Sequence, residues 1–159
     1  MAAATLEEIE AIYRSRGADF FRLALARTSD REMAHDAVQE GFARAIRARS
    51  RYRGSGPLAA WLARCVLNAT HDLVRSRAAR DVRHSVEVEA STPDTPNGHV
   101  RSALRQLPAR QRDALFLRFY LDFDYATIAE TLGVETGTVS ATLHAARQKL
   151  AEALQEVPR

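Results

Sequence analysis

The sequence has few of the residues that covalent or metal-dependent chemistry requires. Its 159 residues include one cysteine, Cys65, which excludes an internal disulfide. The five histidines are scattered, and none is spaced from Cys65 as a second zinc ligand would be, so no metal site is expected. No acid–base pair or glycine-rich phosphate loop stands out either. We therefore expect no cofactor, and an enzyme is the least favoured class of protein.

Long hydrophobic runs are also absent. No apolar stretch approaches the roughly 18 residues that a membrane-spanning helix needs. Glu7, Glu8 and Glu10 lie near the N-terminus, where a secretory signal would carry basic residues. Hydrophobic residues make up 46% of the chain and charged residues 27%, which is typical of globular proteins. These features predict a cytoplasmic protein with no membrane insertion.

Lysine is nearly missing as well, because Lys149 is the only one and the other 22 basic residues are arginine. The net charge of +3 hides an uneven distribution: residues 42–80 hold nine arginines and a single acid, Asp72. Residues 81–100 hold one basic and four acidic residues. The arginine-rich block favours a polyanion as partner. A solvated arginine face in a protein from a GC-rich genome is the alternative.

Apolar residues recur at helical spacing in the first half of the chain. One helix is predicted from Leu6, with an interruption at Gly17. Residues 29–32 (SDRE) have the spacing of a capping box and are predicted to start a second helix at Ser29. Its inner face would hold Ala34, Ala37, Val38, Phe42, Ala45 and Ile46. Its outer face would present His35, Asp36, Gln39, Glu40 and Arg47.

A loop over residues 50–57 (SRYRGSGP) precedes a third predicted helix. Cys65 and Trp61 share the apolar side of this helix with Leu58 and are expected in the core. The opposite side presents Arg64, Asn68, His71, Asp72 and Arg75. Residues 81–98 then lose the periodicity and contain the Pro- and Thr-rich segment STPDTPNG. With no strand signal, we predict an all-α fold of two small domains, 5–80 and 99–155, joined by a flexible linker, 81–98.

Residues 124–150 have the pattern of a helix-turn-helix. Asp124 would cap a short helix, Gly133 would supply the left-handed turn, and Thr136 would cap the second helix. The small side chain of Ala129 would let the two helices approach closely. An ordinary helical hairpin is the alternative. In the DNA-binding interpretation, the exposed start of the second helix enters the major groove, but its small, uncharged side chains predict weak binding on its own.

The two halves together resemble a sigma factor of the extracytoplasmic-function (ECF) group of the sigma-70 family, in which regions 2 and 4 are joined by a linker. The resemblance rests on AHDAVQEGFARA (34–45) and WLARCVLNATHDLVR (61–75) for region 2. It also rests on LRQLPARQRDALFLR (104–118), followed by IAETLGV and TGTV, for region 4. These motifs stand in the family's order and extend from about Tyr13 to Leu150, which is nearly the whole chain.

The resemblance implies a transcription initiation factor that binds core RNA polymerase, directs it to specific promoters and aids melting of −10 DNA. It implies docking on the clamp helices of the polymerase β′ subunit by Asp36, Gln39 and Glu40, with further contact to the β subunit. The residues implied to bind the −10 element are Tyr52, Arg53, Ser55, Arg64, Asn68, His71 and Arg75. Those implied to bind the −35 element are Thr136, Thr138, Ser140, Ala141, His144 and Arg147. An anti-sigma factor is a further expected partner.

The sequence departs from the family pattern mainly in region 4. Ser140, Thr142 and Ala145 occupy positions that are usually basic, which predicts weaker phosphate contacts at the −35 element. His35 replaces an acid beside Asp36. Two alternatives therefore accompany the sigma-factor hypothesis: a helix-turn-helix regulator that binds duplex DNA without polymerase, and a polymerase-binding modulator with weakened promoter recognition.

Overall fold

The computed structural model describes residues 3–81 and 96–155. Within these residues the chain forms α-helices and one 3₁₀ turn, Arg49–Arg51, and no strand, which confirms the predicted all-α fold. The helices are α1 (Leu6–Thr28), α2 (Arg31–Ala48), α3 (Leu58–Asp81), α4 (Pro96–Gln106), α5 (Ala109–Phe119), α6 (Tyr125–Leu132) and α7 (Thr136–Gln155).

Helix α1 is continuous through Gly17, so the predicted interruption there is wrong. A glycine costs a helix only about 1 kcal/mol, and burial of Ile9 and Phe20 on either side outweighs that cost. The helix starts with a capping box at Thr5: the Glu8 amide donates to Thr5 Oγ1 at 3.1 Å, and the Thr5 amide donates to Glu8 Oε2 at 2.8 Å.

The junction between α1 and α2 corrects a second prediction. Ser29 ends α1 in the left-handed conformation, with φ 53°, and its amide donates to the Leu25 carbonyl. It therefore cannot also be the extended residue that starts the next helix. Asp30 caps α2 instead, accepting a 3.0 Å hydrogen bond from the Met33 amide. The start of α2 thus lies one residue later than the capping-box spacing predicted.

Helices α2 and α3 pack unusually closely at Gly41. A Cβ atom at this position would lie 2.6 Å from the Cα of Val66, so only glycine fits without separating the helices. Phe42 lies beside this contact and meets Phe20 of α1 edge-on, with ring centroids 5.1 Å apart. Ile46 was predicted in this core, but it is 38% exposed. Its neighbour Ala45 takes the fully buried position of that turn.

The first group of helices is α1–α3 and the second is α4–α7. The second group contains the predicted helix-turn-helix, which the structure confirms in α6 and α7. Asp124 caps α6 by accepting from the Thr127 amide at 2.7 Å, and Gly133 ends it with φ 66°. Helix α7 begins at Thr136, and the Glu135 carbonyl accepts its first hydrogen bond, from Val139. Glu135 therefore occupies the capping position that was predicted for Thr136.

The two groups of helices contact each other, α1 against α5 and α3 against α6. Of the predicted linker, Asp81 belongs to α3 and residues 96–98 belong to α4. Residues 82–95 lie outside the described residues. None of the helices described is both long and apolar enough to cross a membrane.

Candidate nucleic-acid interface

The outer face of α2 carries the three residues predicted to dock on polymerase. Asp36 and Gln39 are exposed, and Glu40 is half-buried. Glu40 Oε1 accepts hydrogen bonds from Arg44 Nε at 2.7 Å and Arg47 Nη2 at 3.3 Å. The hydrogen bond from Arg44 holds the pKa of Glu40 below its ordinary value. The face therefore presents one carboxylate held in place by arginines beside two exposed polar side chains.

Arg44 also connects α2 to α3. Its Nη1 atom lies 2.6 Å from Asp72 Oδ2, and Asp72 in turn accepts from Arg75 Nη2 at 3.2 Å. These contacts lower the pKa of Asp72, and the hydrogen bond from Arg44 contributes the most. Asp72 is therefore ionised at neutral pH and partly neutralises Arg75, one of the residues predicted to hold −10 DNA.

The predicted −10 residues of α3 form one stripe. Arg64, Asn68, His71 and Arg75 are all exposed and follow the 3–4-residue spacing of a helix face. At its N-terminal end the stripe meets the loop over residues 52–57, whose Arg53 and Ser55 are also exposed. The structure thus brings together all the residues predicted for −10 binding along α3 and its preceding loop.

A cleft of about 240 Å³ opens at this junction. Tyr52 and Trp61 contribute aromatic rings with centroids 5.6 Å apart. The Tyr52 hydroxyl donates to the Gly56 carbonyl at 2.5 Å and fixes the loop. The cleft is lined by Arg51, Tyr52, Arg53, Ser55, Gly56, Pro57, Ala60, Trp61, Arg64, Glu130 and Thr131. Aromatic and guanidinium groups at this spacing suit an unstacked base and its phosphates.

Trp61 has a wider role in this cleft than sequence reasoning gave it. It packs against the core as predicted, but it also lines the cleft. Glu130 and Thr131 were not predicted near this site, since they belong to α6 of the helix-turn-helix. Arg64 Nη2 donates to the Glu130 carbonyl at 2.8 Å. No sequence signal links these two segments, which lie 66 residues apart.

The side of α7 that was predicted to face −35 DNA is exposed at every predicted position: Thr136, Thr138, Ser140, Ala141, His144 and Arg147. Val139, Leu143 and Ala146 bury the opposite side. The Thr142 hydroxyl donates to the Thr138 carbonyl at 2.7 Å. The Arg147 guanidinium lies over the exposed ring of Phe119, 5.5 Å from its centroid. The only arginine of this face is therefore at its far end.

A further polar contact joins α1 to α5. Arg27 Nη1 and Asp113 Oδ2 are 2.6 Å apart, and their side chains are only 15% and 7% exposed. Burial raises the pKa of Asp113 to about 6, although Arg27, Arg112 and Arg110 act in the opposite direction. Nearby, Arg16 Nη2 donates to the Tyr120 carbonyl at 3.3 Å.

Beside this contact, a groove of about 400 Å³ runs between α1 and helices α4 and α5. Its floor includes Leu25, Leu104 and Phe116. Its rim carries five arginines: Arg22, Arg31, Arg101, Arg105 and Arg112. Within residues 3–81 and 96–155, no acidic residue lines it. The groove therefore combines an apolar floor with a strongly basic edge.

Comparison with known families accounts for both halves of this arrangement. The pattern described as Sigma-70 region 2 matches residues 12–80, and that described as Sigma-70, region 4 matches residues 99–150. The fold and its exposed faces thus define a protein with the two conserved regions of the sigma-70 family.

Individual relatives narrow the class. The chain is 34% identical to the ECF RNA polymerase sigma factor SigL of Mycobacterium tuberculosis, over 98% of this chain and 94% of the relative. It is 28% identical to the RNA polymerase sigma-H factor of Pseudomonas aeruginosa, over 82% of this chain and 77% of that protein. The chain belongs to the ECF sigma factors.

Solved structures agree with this fold. The sigma factor RpoE of Bartonella quintana, crystallised with the anti-sigma factor NepR, has a TM-score of 0.80 at 22% identity, covering 96% of this chain and all of that one. CnrH, in complex with the cytosolic domain of CnrY, has a TM-score of 0.75 at 22% identity, covering 98% and 92%.

As an ECF sigma factor, the protein is a transcription initiation factor that binds core RNA polymerase and directs it to promoters, which confirms the functional prediction. The two alternatives, a polymerase-independent regulator and a polymerase-binding modulator, are not favoured.

Proposed function

We propose that the outer face of α2 docks on the clamp helices of the polymerase β′ subunit. The main support is the arrangement of this face. Asp36 and Gln39 are exposed and lie beside Glu40. Arg44 and Arg47 hold the Glu40 carboxylate in one position. Asp36 makes no ion pair within the described ranges, so its charge is free for a basic partner surface. Preorganised polar side chains lose little conformational freedom on binding.

In this proposal the domain at 5–80 also binds the −10 element. The cleft between Tyr52 and Trp61 would stack an unpaired base, at an unpairing cost of a few kcal/mol. Arg53, Arg64 and Arg75 would hold phosphates around it. The polar side chains available to hydrogen-bond bases along the same stripe are Ser55, Asn68 and His71.

The domain at 99–155 would bind the −35 element through α7. The polar side chains of Thr136, Thr138, Ser140 and His144, with Ala141 between them, face outward and would contact base edges in the major groove. Arg147 would approach a phosphate. With so few positive charges, this contact would be weaker than the −10 contact.

We further propose an anti-sigma factor as a partner, since the Bartonella quintana relative was crystallised with one. The apolar floor and five arginines of the groove between α1 and α5 suit an acidic amphipathic helix. The protein would act in the cytoplasm, and it would perform no covalent chemistry itself, since it positions polymerase and DNA.

In vitro transcription with purified core polymerase, followed by mapping of start sites, tests the proposal. Initiation at defined start sites that depends on this chain is the expected result. A chain that binds core polymerase but never supports initiation would contradict the proposal and favour a modulator.

The docking face has its own test. Asp36→Arg places a positive charge against a surface that the proposal requires to be basic, so we expect core affinity to fall about 10-fold or more. Competition with a labelled sigma factor for core polymerase measures this. Glu7→Arg, the same charge change on α1, is the matched control and should bind normally. Equal affinities for both variants would show that the docking face is misassigned.

A further inference from the structure

The groove between α1 and helices α4 and α5 has charged and apolar side chains in alternation. Each helix contributes an arginine and an apolar residue three or four positions apart: Arg22 and Leu25 of α1, Arg101 and Leu104 of α4, and Arg112 and Phe116 of α5. Residues at this spacing lie on the same face of a helix, so each guanidinium stands next to an apolar side chain. A groove of about 400 Å³ with this lining is large enough for a small organic molecule.

Most of the arginines on the rim of this groove lack an acidic partner. Arg22 pairs with Asp19 at 3.0 Å. The other four form no ion pair within the described part of the chain: Arg31, Arg101, Arg105 and Arg112. Like charges gathered without a counter-ion repel one another, and a bound anion relieves that repulsion. The rim is therefore a surface of uncompensated positive charge.

Arg112 is the least compensated of these arginines. The residue is half-buried, and its Nε atom is buried with no hydrogen-bond partner among the residues that the structure describes. Burial, followed by repulsion from Arg27, lowers the pKa of Arg112, and attraction to Asp113 only partly opposes them. Buried charged groups in proteins are stabilised by pairing and hydrogen bonding. An anion in the groove would neutralise this guanidinium.

A phosphorylated ligand matches the groove better than a carboxylate does. A terminal phosphate carries a charge of about −1.5 to −2 near neutral pH, so two or three linked phosphates concentrate enough charge for four unpaired arginines. The planar fork of a guanidinium also binds phosphate oxygens two at a time. The −10 cleft is basic as well, but Glu130 lines it, whereas no acid lines the groove within residues 3–81 and 96–155.

We propose that this groove binds an organic polyphosphate of the nucleoside di- or triphosphate class. The phosphates lie among Arg101, Arg105 and Arg112, and the base lies on the apolar floor. This site needs neither polymerase nor DNA. The proposed anti-sigma helix would use the same arginines, so the two ligands exclude each other, and that exclusion alone rests on the proposed function.

Isothermal titration calorimetry of the free, full chain with ATP in magnesium-free buffer tests the site. The groove variant is Arg101→Ala/Arg105→Ala, which removes two exposed side chains. Arginine and alanine both favour helix, so α4 should fold normally; Arg31→Ala/Arg105→Ala replaces this variant if circular dichroism shows otherwise. Each charge-assisted contact contributes about 10-fold or more in affinity, so the double variant should bind ATP about 100-fold more weakly. Absence of measurable binding to the wild-type chain would refute the proposal.

The matched control is Arg80→Ala/Arg110→Ala. Both residues are exposed, lie outside the groove and form no ion pair within the described ranges. This variant has the same net charge as the groove variant and should bind ATP as the wild type does. Equal weakening in both variants would mean that ATP responds to net charge, and the groove site would be wrong.

Two further probes separate the floor of the groove from its rim. Inorganic tripolyphosphate has the phosphates but no base, so it should bind about 10-fold more weakly than ATP because it buries no apolar surface. Equal affinities would contradict an organic ligand. Poly-L-glutamate is the acidic peptide probe. Binding of this peptide through Arg101 and Arg105, with no binding of ATP, would overturn the phosphate ligand and leave the groove as a peptide site.

The −10 cleft is the other place where ATP could bind, since it also combines arginines with aromatic rings. Arg53→Ala/Arg64→Ala should therefore leave ATP affinity unchanged. Loss of ATP binding in this variant and not in the groove variant would overturn the groove site without affecting the proposed function. If ATP binding depends on the groove arginines but the wild-type holoenzyme fails to protect −10 DNA, the groove site is supported and only the proposed −10 site is contradicted.

Discussion

Helices α3 and α7 carry the two surfaces that we propose to face DNA, and these surfaces differ sharply in charge. The stripe along α3 contains Arg64 and Arg75, and Arg51 and Arg53 lie in the 3₁₀ turn and loop before it. The exposed start of α7 contains no charged side chain from Thr136 to His144, if histidine is neutral. Both surfaces are built in the same way, with a long amphipathic helix buried on one side.

This difference in charge suggests that one surface contributes mainly to the affinity for DNA and the other mainly to recognition of its sequence. Phosphate neutralisation supplies most of the strength of DNA binding and all of its salt dependence, while base-edge contacts supply specificity. By this criterion we propose that α3 and its loop hold the DNA and that α7 discriminates sequence at a position fixed by polymerase. Each surface can be tested for the property that the other should lack.

The largest effect is expected from removing the arginines of the first surface. In the holoenzyme, replacing Arg53, Arg64 and Arg75 by alanine should weaken binding to single-stranded −10 DNA about 500-fold or more. Each contact to a charged group contributes about 1.5–3 kcal/mol, and Arg75, which Asp72 already partly neutralises, is counted at about half of that. The slope of log affinity against log salt should fall by about 2. Fluorescence anisotropy over a salt series measures both quantities.

The corresponding triple variant of α7, Thr136→Ala/Thr138→Ala/Ser140→Ala, should leave the salt slope unchanged and reduce discrimination between matched and mismatched −35 duplexes. A charge control replaces three arginines outside both surfaces by alanine: Arg14, Arg22 and Arg101. A control that lowers the slope as much as the α3 variant would show that net charge, not the α3 surface, determines the salt dependence.

A glycine lies at the contact between α2 and α3 and another at the turn between α6 and α7, and the two have different roles. Replacing them should have effects of intermediate size. Gly41→Ala should destabilise the protein by about 2 kcal/mol, because overpacking against the Val66 backbone exceeds the gain in helix propensity. Gly133→Ala should cost about 1 kcal/mol, since its φ of 66° penalises a side chain, while a Cβ atom would meet only Arg64 Nη2, at an ordinary contact distance of 3.8 Å. Urea unfolding measures both, and Gly137→Ala, with open space at the Cβ position, is the control. The reverse order would contradict the close approach at Gly41.

Much of the fold could be predicted because local rules determine it. The spacing of Phe42 and Val66 set the inner faces of α2 and α3, and Asp124 with Gly133 set the limits of α6. The failures were also local. Ser29 and Thr136 are both good capping residues, but Ser29 was needed to end α1. The helix after Gly133 begins one residue earlier than predicted, at Thr136, which leaves Glu135 at the cap.

The contact between domains could not be predicted from the sequence. Periodicity places Arg27 on α1 and Asp113 on α5, but nothing in a linear pattern pairs an arginine with an aspartate 86 residues away. The hydrogen bond from Arg64 to Glu130 is even harder to predict from the sequence, since its acceptor is a main-chain carbonyl, which every residue possesses. Candidate DNA residues therefore followed from the sequence, while the domain that covers them required three-dimensional structure.

The smallest expected effect comes from giving α7 the charge it lacks. Ser140 is exposed on the side of α7 that we propose to face DNA. Ser140→Arg should therefore add one phosphate contact in the holoenzyme, raise affinity for a −35 duplex by no more than about 10-fold at low salt, and steepen the salt slope by about 0.9. Ala151→Arg, an exposed position about one turn beyond Arg147, is the matched control and should change neither quantity. An unchanged slope for Ser140→Arg would mean that this side of α7 does not approach the phosphates, and the contrast between the two surfaces would then reflect their placement on DNA as well as their charge.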